Sequence, residues 1–127
     1  MVLSGRPAAA LIVADQPFVG MVASDILQET GFATFHANDA SGAMAVLRLH
    51  PEIEVLVTDA DLAESGDGLE LTRRVSAERP DVQLVITSGE RELLASDMPR
   101  GARLLRKPYA STELRTLVGG TTALQDA

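Results

Sequence analysis

The chain has 127 residues, enough for one domain with a sizeable core; 46% are apolar but only 3% aromatic, so that core must be aliphatic. No cysteine is present, which excludes disulfides and thiolate chemistry, and the two histidines lie far apart, which argues against a zinc site. The 18 acidic residues outnumber the 11 basic ones, and the net charge of −7 argues against a nucleic-acid surface while suiting cationic or metal ligands.

No apolar run approaches the roughly 18 residues of a membrane span. The opening "MVLSGRPAAALIVAD" reads as a short lead and a strand, because its apolar run ends in Ala14-Asp15 without a cleavage pattern. Ala8 to Ala14 is the first strand, apolar throughout and so buried on both faces. Val19, Val22, Ala23 and Ile26 recur at helical spacing, and Gly31 stops that helix. Thr34 to Ala37 is a short second strand. Ala43, Val46, Leu47 and His50 form the next helical stripe, ended by Pro51. Ile53 to Thr58 is the third strand, and Asp59 and Asp61 follow it. A helix follows from Asp67, which can cap it, with Glu70 completing a capping-box pattern and forming an i,i+4 pair with Arg74, and Pro80 ends it. Val82 to Thr87 is the fourth strand, Glu90 to Ser96 a weak helix, and Ala102 to Leu105 the fifth strand, followed by Lys107-Pro108. Ser111 to Val118 is the last helix, stopped by Gly119-Gly120, and the tail frays.

Five strands alternating with five helices predict an α/β fold, a (βα)5 doubly wound parallel sheet of flavodoxin-like order 2-1-3-4-5. One domain is expected over 1–127, with its core at about 8–118 and short flexible ends. In such sheets ligands bind at the carboxyl ends of the strands. Asp15, Asp59, Thr87 and Lys107 fall at those ends of strands 1, 3, 4 and 5. Two neighbouring carboxylates, Asp15 and Asp59, repel unless a cation joins them, and Mg²⁺ suits a site of one or two carboxylates plus phosphate and water. Lys107 offers a point charge and Thr87 a hydroxyl, so the set suits a phosphoryl group placed on a carboxylate. "SGDG" lacks the Lys-Ser/Thr of a P-loop and is a helix-entry loop; His36 and His50 are read as structural or surface residues.

The segments "LIVADQP", "VLVTDADL", "DGLEL", "LVITSGE" and "LLRKPY" together resemble a response-regulator receiver domain of the CheY-like family. The resemblance implies a domain of two-component signalling in which Asp59 accepts a phosphoryl group from a sensor histidine kinase or phosphotransfer protein. It implies Mg²⁺ held by Asp15, Asp59 and the backbone carbonyl of Asp61, with Thr87 and Lys107 on the phosphoryl oxygens. It also implies a cis Lys107-Pro108 bond and a partner face on the fourth helix, fifth strand and fifth helix. The chain departs from the family at Ala14, where the first of two acids is usual, so Mg²⁺ is expected to bind weakly. Leu104 stands where an aromatic switch residue is usual and is expected to stay buried. The loop after Asp59 is longer, with Ala63 in place of proline.

The sequence is thus read as a stand-alone cytoplasmic receiver, a signalling domain rather than an enzyme. Its output is an unidentified partner protein, with no direct contact to nucleic acid or membrane. The alternative is a degenerate receiver that binds partners without phosphorylation, which Ala14 and Leu104 would suit. A flavin site on the same fold has only Tyr109 to offer as a stacking ring.

Overall fold

The computed structural model describes residues 8–14, 17–62, 66–89, 93–107 and 110–118. In chain order they form β1 (Ala9–Val13), α1 (Pro17–Glu29), β2 (Ala33–Ala37), α2 (Ala40–Leu49) and β3 (Ile53–Asp59). Then come the two-residue strands β4 (Asp61–Leu62) and β5 (Gly66–Asp67), α3 (Gly68–Glu78), β6 (Gln83–Ser88), β7 (Arg103–Arg106) and α4 (Ser111–Val118). Five strands make one parallel sheet in the order β2-β1-β3-β6-β7, which is the expected 2-1-3-4-5 once the separate β4–β5 hairpin is set aside.

Why the order follows from the sequence is visible in burial. All five residues of β1 are buried, as a central strand covered on both faces requires, whereas the edge strand β2 is only partly buried. Alternate residues of each strand face opposite layers. Leu11, Val13 and Leu56 pack with Ala43, Met44 and Leu47 of α2 and Leu71 and Val75 of α3. Ala10, Ile12, Val55, Val57, Val85 and Leu105 pack with Ala23, Ile26 and Leu27 of α1 and Leu114 and Val118 of α4. Each buried Leu, Ile or Val stabilises the fold by about 1.5–3 kcal/mol relative to exposure, so an aliphatic core suffices without large rings. Ion pairs tie the helices of each layer at the surface, Arg48 to Glu78 at 3.3 Å and Arg115 to Glu29.

Local signals account for the ends of the elements. Gly31 takes φ +101° just past α1, a conformation a side chain would strain. Asp39 caps α2 by accepting from the Gly42 N–H at 2.7 Å, a cap that the sequence reading missed. His50 caps the other end of α2, stacks on Phe35 with ring centroids 4.1 Å apart, and meets Glu52 Oε2 at 3.2 Å; it is structural, as expected.

Two expectations need correction. The described residues hold four α-helices rather than five. Residues 93 and 94 are not helical and only Ala95–Asp97 makes a 3-10 turn, held by the Leu94 N–H on Asp97 Oδ2 at 2.8 Å; Glu90 to Glu92 lie outside the described residues. One cause is local competition: the Asp97 side chain gives the backbone a non-helical partner, and Pro99 blocks extension. α3 runs from Gly68, directly after Asp67, as an N-cap at 67 requires; the Asp67 side chain, half of the expected capping box, is outside the described set. The second correction is that Glu70 pairs with Arg73 at i+3, at 3.4 Å, rather than with Arg74.

Candidate phosphoacceptor site

Strand alternation builds the site. Val55 and Val57 of β3 point into the α1/α4 layer, and Asp59, two residues on, continues that series. Val85 leads to Thr87 on β6 in the same way, and Leu105 leads to Lys107 just past β7. The register sets Asp59 beside Thr87, and Thr87 beside Leu105. A row of core residues therefore ends, at the carboxyl edge of the sheet, in a row of polar ones.

Their geometry is tight. The Thr87 hydroxyl donates to Asp59 Oδ1 at 2.6 Å, and Lys107 Nζ lies 2.7 Å from the same oxygen. Asp59 is only 7% exposed. A buried carboxylate without a partner costs several kcal/mol, and here an ammonium and a hydroxyl offset that cost. Backbone bonds fix the frame: the Ala60 N–H donates to Thr87 O and the Lys107 N–H to Ser88 O, both at 2.8 Å. A cleft of about 440 Å³ opens over this group, lined also by Ala60, Asp61, Ser88 and Gly89.

Of the residues singled out from sequence, the structure brings Asp59, Thr87 and Lys107 into contact and sets Asp61 on the exposed rim of the same cleft. Asp15, Pro108, Tyr109 and Ala63 lie outside the described residues. Ala14, half-buried, ends the β1 side by donating its N–H to Ala37 O at 3.3 Å. The expected burial of Leu104 needs correction: it is half-buried, against the Ala60, Leu69, Ile86 and Leu93 cluster, and lines a groove of about 330 Å³ beside Thr116 and Leu117. Edge position explains this, since among the described residues no strand lies beyond β7 in the sheet. The contributions of Ala60, Ser88 and Gly89 were missed because backbone groups leave no residue-type signal.

The donors lining the cleft are hard oxygens, the Asp59 carboxylate and Asp61 among them, which is the chemistry Mg²⁺ takes. Among the described residues no three acidic, His or Cys side chains gather into a cage. That sparse set still fits Mg²⁺, which keeps waters and takes one or two carboxylates plus phosphate. Chemically, the site presents an oxygen nucleophile with a cation and a hydroxyl donor already in place, arranged for an anionic group that develops or arrives there.

Comparison with known proteins bears on the family and the fold. Residues 10–119 match the response regulator receiver domain family. The receiver protein CpdR of Brucella abortus is 33% identical over 95 residues, covering 72% of this chain and 75% of that protein. The nitrogen assimilation regulatory protein NtrX of Azorhizobium caulinodans is 32% identical over 108 residues, covering 82% of this chain; the chain spans 24% of that protein's length. The crystal structure of the NtrX receiver domain from Brucella abortus superimposes with a TM-score of 0.80 at 26% identity, over 93% of this chain and 99% of that one.

Proposed function

The chain belongs to the response regulator receiver domain family, and from that premise we propose that Asp59 accepts a phosphoryl group from a histidine of a sensor kinase or phosphotransfer protein. Receiver domains are signalling modules of two-component systems, and their output here is proposed to be contact with a partner protein in the cytoplasm. Among the described residues no helix is long and apolar enough to cross a membrane.

One observation carries the reading: a nearly buried carboxylate whose Oδ1 is met at once by the Thr87 hydroxyl and the Lys107 ammonium. An Asp59 oxygen attacks phosphorus, the bond from phosphorus to the histidine nitrogen breaks, and the electron pair leaves with the imidazole. Lys107 faces the added negative charge. The Thr87 hydroxyl, now donating to Oδ1, turns to a phosphoryl oxygen. Receiver domains bind Mg²⁺ at this site in general; here Asp59, Asp15 and the Asp61 backbone carbonyl would hold it, and it supplies positive charge to the phosphoryl oxygens.

The test is intact-mass analysis after incubation with a small phosphodonor and Mg²⁺. The wild type gains one phosphate and Asp59→Asn gains none. Equal uptake by both proteins overturns the assignment. No uptake by the wild type favours a phosphorylation-independent binding module, the reading that Ala14 would suit.

A further inference from the structure

The first residue of α3 lies against the phosphoacceptor's own peptide. A Cβ placed on Gly68 would overlap the carbonyl oxygen of Asp59 and come within 3.0 Å of the Ala60 carbonyl oxygen. Both are backbone atoms, so no side-chain rotation relieves the clash. The approach is fastened by the Gly68 N–H, which donates to Ala60 O at 2.8 Å, while the Thr58 hydroxyl donates to Asp59 O at 3.1 Å. Gly68 itself does not line the cleft.

Neither side of this contact has slack. On the helix side, Leu69 is 1% exposed and Leu71 and Thr72 are fully buried, with Leu69 and Leu71 in different apolar clusters. On the strand side, the peptide after Asp59 is held by the Ala60 N–H on Thr87 O. We infer that Gly68 is a positioning residue for phosphoryl transfer: by bringing helix backbone flat against the Asp59 carbonyl, it fixes where the Asp59 carboxylate meets Thr87 and Lys107. This rests on Asp59 being the phosphoacceptor. Any side chain at 68 must shift the end of β3 or the start of α3, and the 2.6 and 2.7 Å contacts on Oδ1 have no tolerance for such a shift.

The experiment compares wild type, Gly68→Ala and Val75→Ala. Val75 is fully buried two turns along α3, about 10 Å from Gly68 along the helix axis, so its truncation loosens the same helix away from Asp59. Phosphate uptake from a small phosphodonor is measured per folded molecule, with the folded fraction taken from urea unfolding. Gly68→Ala is expected to lose at least tenfold in rate, while Val75→Ala keeps the wild-type rate even where it is the less stable. Equal rates in wild type and Gly68→Ala, or equal losses in both variants, overturn the inference and leave Asp59 as acceptor. No uptake by the wild type overturns both.

A second measurement covers a Gly68→Ala chain that does not fold. In the wild type, beryllofluoride with Mg²⁺ is expected to shift the Gly68 amide resonance, through its bond to Ala60 O, and to leave Val75 in place. A Gly68 amide that stays put while Thr87 shifts overturns the inference.

Discussion

Two carboxylates in this fold each hold a cation, at opposite ends of the sheet, and they do different things. Asp59 meets Lys107 at 2.7 Å at the carboxyl edge, and Asp81 meets Arg79 at 3.1 Å near the start of β6. Arg79 is committed: its guanidinium also donates to Ile53 O at 2.9 Å, Pro51 O at 3.2 Å and Leu47 O at 3.4 Å, closing the end of α2 onto the start of β3. Asp81, largely exposed, orients that fork. Lys107 carries a point charge on a flexible stem beside an open cleft. A planar fork with several carbonyl partners makes a fixed joint; a single ammonium over a buried carboxylate makes a pair that a phosphoryl group can enter.

The sharpest way to break this contrast is Lys107→Ala. It removes the cation that meets developing charge, and loss of one such group costs about 10²–10³ in rate. Phosphate uptake per folded molecule should fall by that order; a fall below threefold would mean that Lys107 is no more than a structural partner of Asp59.

Arg79→Ala should do the reverse. Three carbonyls and one carboxylate lose a donor, with a stability loss of about 2 kcal/mol by urea unfolding and an unchanged uptake rate per folded molecule. An altered rate would show that the two ends of the sheet are coupled.

Ala14→Asp tests the acceptor end from the metal side. A carboxylate added at the end of β1 attracts a cation 4 Å away by about 1 kcal/mol in water and about 4 kcal/mol at an effective dielectric of 20. The low end corresponds to roughly fivefold tighter Mg²⁺ binding in a titration. Unchanged affinity would remove this edge of the sheet from the metal site.

The smallest effect is at Asp81. Hydrogen bonds from Arg79 hold its carboxyl below the ordinary value of 3.8, against a smaller opposing effect of burial. A lowered native pKa means that the pair's contribution is complete above that value and is lost as pH falls through the native one. As an exposed pair it is worth under about 1 kcal/mol. Wild type should therefore exceed Asp81→Asn in stability at pH 6, with the gap closing below about pH 4. A gap that widens on acidification would contradict the pairing.

The sequence by itself determined the five strands of the main sheet, their parallel order and three members of the site. Buried parallel strands must be apolar along their length, so "ALIV", "VLV" and "LVI" stand out, and the carboxyl-edge rule then collects Asp59, Thr87 and Lys107. Of the helix expected over 90–96, the described part from 93 on was misread because helical spacing carries no record of the Asp97 side chain competing for the backbone. Tertiary structure alone decided that Thr87 and Lys107 converge on one oxygen of Asp59, that Leu104 is only half-buried on an edge strand, and that Gly68 lies on the Asp59 carbonyl. Periodicity is written in residue types along one chain, whereas close approach between backbones depends on register and helix docking between elements far apart in sequence, and a glycine looks the same whether it turns a loop or makes room for a neighbour.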